Sequence, residues 1–275
     1  MTDDRLNAIV TQRIEITPQL IKLRVVPEGW ELPAFTAGQY SIMGLPASAP
    51  RTVLAEPEDP LPTTTDKLIR RAYSVASSSV AHAYLEFYVG LVHAGALSPR
   101  LFALRPGDHL FLGENLRGMF TLQEVPTDKN VVLAATGTGV APYMSMIRTE
   151  IEGGLRHRFA VIHGACHSVD LGYNSELTAL NCLSDSFTYL PILSHAKDEP
   201  TPWRGHEGFV QRLWTDGILE QEWGFKPTPA ETHVFLCGNP FMIRDMIALL
   251  TADGFAEHEK DSPGQIHSEQ YFVKF

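Results

Sequence analysis

The chain is short of the residues that build redox centres and disulfide frameworks. Its 275 residues include three cysteines, Cys166, Cys182 and Cys237, an odd number at wide spacing. That count excludes a disulfide scaffold, a closed structural zinc site and a four-thiolate iron–sulfur set. Whatever redox chemistry the chain performs uses no built-in cluster, and no metal site is expected. Basic charge is scarce as well: 22 Lys and Arg stand against 32 Asp and Glu, a formal charge of −10. A field of that sign argues against nucleic acid or an anionic membrane as the main partner. No apolar run approaches the ~18–20 residues of a membrane span. The first residues, Met1 to Arg5, lack the basic start and apolar block of a secretory signal. A cytoplasmic location is the expectation.

What is present is ordinary for a globular protein, 44% hydrophobic and 20% charged residues. The length suits two domains of roughly 120–150 residues each. Residues 1–126 read as β structure, with apolar and β-branched segments at 6–16, 20–26, 39–44, 72–77, 83–89 and 109–112 between Pro, Gly and Ser clusters. Such spacing predicts an antiparallel barrel or sandwich. One helix is expected over 98–104, and Pro46–Asp66, rich in Pro, Ala, Thr and Glu, reads as a surface loop. From 127 onward strands alternate with helices. Strands are expected at 130–135, 159–164, 187–193 and 232–237, and helices at 141–151, 175–183, 209–216 and 240–252. That alternation implies a doubly wound parallel sheet that binds ligands at the carboxyl ends of its strands. Acidic excess sits mostly in this second half. Residues 1–128 hold 11 basic and 14 acidic side chains, against 11 and 18 beyond.

Four motifs carry chemistry. The segment Asn130–Ala135 runs into Thr136-Gly137-Thr138-Gly139-Val140-Ala141-Pro142 and then a helical pattern. Glycines there let backbone amides approach a phosphate at a helix start, and Pro142 fits the first helical turn. Alone, such a turn is equally a plain tight turn. A second one, Cys237-Gly238-Asn239-Pro240, again follows an apolar strand and precedes a helix, so both would flank one crevice. A thiol at Cys237 is either a small buried hydrophobe or a polarizable group beside a reacting ring. In the first half, Arg71-Ala72-Tyr73-Ser74 lines up a cation for pyrophosphate, a ring for stacking and a hydroxyl for ring heteroatoms. Strand alternation places Arg71 and Tyr73 on one face and Ser74 on the other. Finally, Gly95-Ala96-Leu97-Ser98-Pro99-Arg100 offers a helix start with Ser98 as a plausible cap.

In this order, and with Glu86-Phe87-Tyr88-Val89 and the aromatic end Glu269-Gln270-Tyr271-Phe272, these elements resemble the ferredoxin–NADP reductase family, in its FAD-containing bacterial branch. The resemblance spans nearly the whole chain. It implies an FAD-binding barrel followed by a pyridine-nucleotide domain whose tail returns to the FAD. It assigns Arg71, Ala72, Tyr73 and Ser74 to the FAD pyrophosphate and isoalloxazine, Phe87, Tyr88 and Val89 to the adenosine and ribityl side, and Ala96, Leu97 and Ser98 to the pyrophosphate. It gives Thr136, Gly137, Thr138, Gly139, Pro142, Gly238 and Asn239 to the nicotinamide nucleotide. Tyr271 would stack on the isoalloxazine and Phe272 would face the adenine, with Ser74, Cys237 and Tyr271 nearest the chemistry.

The chain departs from the family where the NADP 2′-phosphate is read. Cys166, followed by His167, and His195 stand where arginines are expected, so a permanently charged clamp is missing. His167, Lys197, Arg204 and Arg212 are the residues left to compensate. The implied activity is electron transfer between NADPH or NADH and a transiently bound ferredoxin or flavodoxin, by hydride exchange at flavin N5 and single-electron steps to the carrier. The protein is expected to be a monomer. Two alternatives remain at this point: an NADH-linked reductase of an oxygenase ferredoxin or of free flavin, and an FAD-holding electron-transfer or sensing module without nucleotide turnover. Lys67, Arg70, Arg100, Arg105 and Arg117 are expected to present a basic patch to the acidic carrier.

Overall fold

Among the described residues, twelve strands form two sheets of opposite character, accompanied by six helices. The computed structural model describes residues 3–58 and 66–270. Tyr271, Phe272 and the middle of the 46–66 loop therefore lie outside the described residues. By contact density the chain divides into one unit of residues 1–121 with 144–149 and another of 122–143 with 150–275.

In the first unit, β1 (Ala8–Thr17), β2 (Leu20–Pro27), β3 (Tyr40–Pro46), β4 (Leu68–Ser74), β5 (Leu85–Gly90) and β6 (His109–Leu112) form an antiparallel sheet in the order β4-β3-β6-β1-β2-β5. A bridge from Val75 to Phe87 and the bond from Ala76 N–H to the Glu86 carbonyl (2.8 Å) join the two outer strands, closing the sheet as a barrel. Alternation on β2 sends Ile21, Leu23 and Val25 inward against Met43, Leu85, Phe87 and Leu110. The expected strand at 72–77 begins earlier, at Leu68. Arg70 and Arg71 belong to it because on an outer strand such side chains point to water without leaving the ladder. Helix α1 (Ser98–Ala103) stops before Pro106-Gly107 as expected.

The second sheet holds β7 (Asn130–Thr136), β8 (Phe159–Ala165), β9 (Phe187–Leu193), β10 (His206–Glu207), β11 (Thr232–Gly238) and β12 (Ile266–Gln270), all parallel, in the order β10-β9-β8-β7-β11-β12. Its central strands are apolar at nearly every position because both faces are covered. Helices α2 (Ala141–Glu152), α3 (Asn174–Leu183), α4 (Gln211–Thr215), α5 (Ile218–Trp223) and α6 (Pro240–Ala252) make the crossovers and the sheet's flanks. On α6, Met242, Ile243, Met246 and Leu250 form the apolar stripe. The expected helix at 209–216 is found as α4, and α5 follows it unforeseen after Gly217, whose φ of +68° breaks the turn. Chain order reverses between β7 and β11, so a topological switch point lies at their carboxyl ends. No helix among the described residues is long and apolar enough to cross a membrane.

Candidate functional site

The two glycine turns meet at that switch point. Strand β7 pairs with β11 up to Ala135 and Cys237. Beyond the ladder, Thr136 Oγ1 accepts the Asn239 backbone N–H at 2.7 Å, tying one turn to the other. Packing there leaves no room for side chains. A Cβ on Gly139 would stand 2.3 Å from the Cys237 carbonyl oxygen, and one on Gly238 would stand 2.3 Å from Thr136 Oγ1. Gly238 also has φ +129°, and Gly137 φ +53°, both in the region that disfavours L side chains. Residues 137–140 make a 3₁₀ turn that leads into α2, with Pro142 in its first turn. Asn239 caps α6 by accepting the Phe241 N–H at 2.8 Å, and Pro240 opens that helix. The result is two helix starts with close-lying backbone, suited to a phosphate-bearing ligand.

Beneath the first turn sits a histidine that the sequence marks only as part of a strand. His163 on β8 is fully buried, and its Nε2 donates to the Gly137 carbonyl at 3.2 Å. A carbonyl accepts only, so the proton is on Nε2. Burial pulls its pKa down to about 4, which keeps the ring neutral at physiological pH. Cys237, expected beside a reacting ring, exposes no surface and packs among the core residues. Its main chain meets the opposite turn.

In the barrel unit, Arg71 and Ala72 are exposed on β4, Tyr73 is half-buried and Ser74 is covered. The Arg71 guanidinium donates to the Arg70 carbonyl at 2.7 Å. Burial raises the Tyr73 phenol above its ordinary range, so it remains neutral. The cap expectation at Ser98 is corrected: Leu97 occupies the cap position without a side-chain bond. The Ser98 hydroxyl instead accepts the Val92 N–H at 3.0 Å, because the Gly95 turn folds back onto it. Among the described residues the amides of Ala96, Leu97 and Ser98 have no acceptor, which fits an anionic group such as a pyrophosphate. Phe87 and Val89 are sealed in the barrel core with their main chain paired to Leu23 and Ile21 of β2, and Tyr88 lies on the opposite face of β5.

Arg100 overturns its expectation. It is buried, 2% exposed, and cannot serve a docking patch. Its Nη2 meets Glu58 Oε2 at 2.6 Å and also the Ala47 carbonyl, while Nη1 donates to the Ala96 carbonyl at 2.6 Å. Arg105, Arg117, Arg70 and Lys67 are exposed, with Arg70 4.0 Å above the Phe111 ring.

At the ends of β8 and β9 the structure brings together the positions where arginines are missing. His195 N–H bonds the Cys166 carbonyl at 3.1 Å, and the His167 and His195 rings are 5.5 Å apart. Cys166 is exposed. The residue that sequence reasoning missed here is Glu199, which joins this cluster from the turn after β9. No spacing signal links it to Cys166, 33 positions earlier.

The combination of a closed antiparallel barrel with a parallel sheet bearing two interlocked glycine turns defines a two-domain nucleotide-dependent oxidoreductase. Comparisons agree. The oxidoreductase NAD-binding domain family matches residues 133–247. The chain is 30% identical over 240 residues to a flavodoxin/ferredoxin–NADP reductase of Buchnera aphidicola, covering 86% of this chain and 88% of that one. It is 31% identical over 211 residues to the Escherichia coli enzyme of the same name, 77% of each chain. Among solved structures, a ferredoxin NADP+ reductase from Neisseria gonorrhoeae, with bound FAD and NADP, superposes with a TM-score of 0.79 at 28% identity, over 98% of this chain and all of that one. The chain belongs to the flavodoxin/ferredoxin–NADP reductase family.

Proposed function

We propose that this protein is an FAD-dependent reductase that moves electrons between NADPH or NADH and ferredoxin or flavodoxin. The observation that carries the reading is the 2.7 Å bond from Asn239 N–H to Thr136 Oγ1, which locks two glycine turns together at the switch point of the nucleotide-type sheet. Residues 1–126 would hold FAD and residues 127–275 the pyridine nucleotide. Arg71, with the amides of Ala96, Leu97 and Ser98, would bind the FAD pyrophosphate, and Tyr73 and Ser74 would orient the isoalloxazine. Tyr88 and the main chain of Phe87 and Val89 would border the adenosine and ribityl side. When bound, FAD supplies the exchange between two-electron and one-electron carriers.

On the nucleotide side, Gly137, Thr138 and Gly139 bring backbone to the ligand, Pro142 starts α2, and Gly238 and Asn239 shape the facing wall. His163 holds the Gly137 carbonyl and stays neutral, so it adds no charge beneath the site. Cys237 acts through its main chain and bulk. Tyr271 and Phe272, outside the described residues, are assigned to stacking on the isoalloxazine and to the adenine. The working state is a cytoplasmic monomer whose carrier binds transiently.

The test is direct. The purified protein should be yellow with non-covalent FAD and should reduce ferricyanide with NADPH or NADH, and cytochrome c through added ferredoxin. A colourless protein that ignores added FAD would end this reading.

A further inference from the structure

Resting on the nucleotide site just proposed, the inference concerns which pyridine nucleotide that site takes. In dinucleotide folds the strand after the glycine-turn strand ends beside the adenosine ribose. An acidic side chain there suits a free 2′-hydroxyl, and an arginine there suits a 2′-phosphate. Here that strand is β8, and its end, Ala165-Cys166-His167, carries neither. The acid comes from the neighbouring strand. Glu199 reaches over from the turn after β9, its side chain only 6% exposed. Its Oε1 accepts the Ser168 N–H at 3.0 Å and lies 3.3 Å from His167 Nδ1, while Oε2 accepts the Ser168 hydroxyl at 2.5 Å.

These donors hold the carboxyl below the usual carboxylate range, so it is ionised at neutral pH. The turns at 166–170 and 194–199 contribute Asp170, Asp198 and Glu199 against Lys197 alone. The imidazoles of His167 and His195 supply hydrogen bonds, as His195 Nδ1 does with Ser194 Oγ at 2.9 Å, but no permanent charge. A phosphomonoester bears about −1.5 to −2 at pH 7. We propose that Glu199 is a specificity-determining residue whose fixed charge at the end of β8 opposes the 2′-phosphate, leaving NADPH with little advantage over NADH.

The experiment compares two fragments, 2′-phospho-AMP and 5′-AMP, by titration calorimetry on the FAD-loaded wild type, Glu199→Gln and Glu199→Asp. Wild type should bind 2′-phospho-AMP no more than about tenfold tighter than 5′-AMP. Glu199→Gln should strengthen 2′-phospho-AMP binding by about tenfold, with 5′-AMP within about twofold, and the NADPH-to-NADH ratio of kcat/KM should rise in step. Glu199→Asp, which keeps the charge, should stay near wild type. Should the Gln variant not fold, wild type alone still decides: screening by added salt should favour 2′-phospho-AMP relative to 5′-AMP if repulsion operates. Equal changes for both fragments, or none, with a salt-independent ratio, would make Glu199 a brace for Ser168 and overturn the proposal. If wild type binds neither fragment, the nucleotide site itself is misplaced and this inference falls with it.

Discussion

Removing Arg100 should destabilise the barrel rather than weaken a protein partner's grip. The guanidinium is nearly inaccessible and is spent on Glu58 and on the Ala47 and Ala96 carbonyls, with Arg51 adding a second contact to Glu58 at 3.2 Å. That pairing holds the Glu58 carboxyl below its ordinary range. Arg100→Ala leaves the buried Ala47 carbonyl without a donor, at about 1–3 kcal/mol, the half-buried Ala96 carbonyl at somewhat less, and a carboxylate with only Arg51 for company. Glu58 is 29% exposed, so water softens its share, and the sum falls at about 3–5 kcal/mol. At roughly 2–8 °C per kcal/mol, the melting temperature should drop by about 6 °C or more. Urea denaturation followed by circular dichroism measures the loss. Arg100→Met with Glu58→Leu should recover only the share owed to the lone carboxylate, since the two carbonyls still lack donors. A single variant within about 1 kcal/mol of wild type, or a double variant no better than the single, would refute the argument.

Acid should destabilise the α/β unit in a defined window. His267, stacked 4.2 Å from Phe235 and bonded through Nε2 to His233 Nδ1 at 3.0 Å, has its pKa pulled down to about 3 by burial and by the nearby His258 and His233. His233 is lowered too, by burial and then by His258, His157 and Lys129, while Glu124 lies 2.8 Å from His258. A lowered folded pKa means the unfolded chain binds the proton first. Stability is then whole above about pH 6.5 and falls with pH toward the folded values, by up to ~1.4 kcal/mol per unit per histidine. His267→Gln should flatten that slope by about one proton in denaturation series from pH 7 to 4. Gly139→Ala should raise the KM for both nucleotides at least tenfold, because its Cβ strikes main chain. Gly137→Ala meets open space and should cost only the left-handed φ, about 1–2 kcal/mol in thermal melts. Reversing Lys67 and Arg117 to Glu should slow cytochrome c reduction through ferredoxin severalfold and spare ferricyanide reduction; equal losses would remove them from the carrier's docking face.

Architecture was legible wherever one residue's own chemistry dictates its place. Parallel strands such as Asn130–Thr136 are continuous apolar runs because both faces are covered, and that pattern is written locally. Gly139 and Gly238 were legible as site residues because backbone-to-backbone approach admits nothing larger. Strand β12 was not, since Ile266-His267-Ser268-Glu269-Gln270 contains one aliphatic residue and owes its form to pairing with β11. Helix α5 was hidden by the glycines at 217 and 224 that bound it.

The misread charges share a different cause. An arginine is exposed by default, and nothing near Arg100 in sequence announces Glu58, its partner 42 positions earlier in a segment without periodicity. Glu199 is the same case reversed: an acid in a surface-like turn whose donors, Ser168 and His167, belong to the preceding strand's end. Parallel sheets make such errors systematic. Every βα turn at the carboxyl edge lies beside one that is distant in the chain, so the charges that decide ligand choice are paired by topology and not by spacing. The family resemblance expects the arginines of a 2′-phosphate clamp in just those turns. Their replacement by Cys166 and His195 was visible residue by residue, whereas the carboxylate that takes up the space between the two turns became visible only when β8 and β9 were placed side by side.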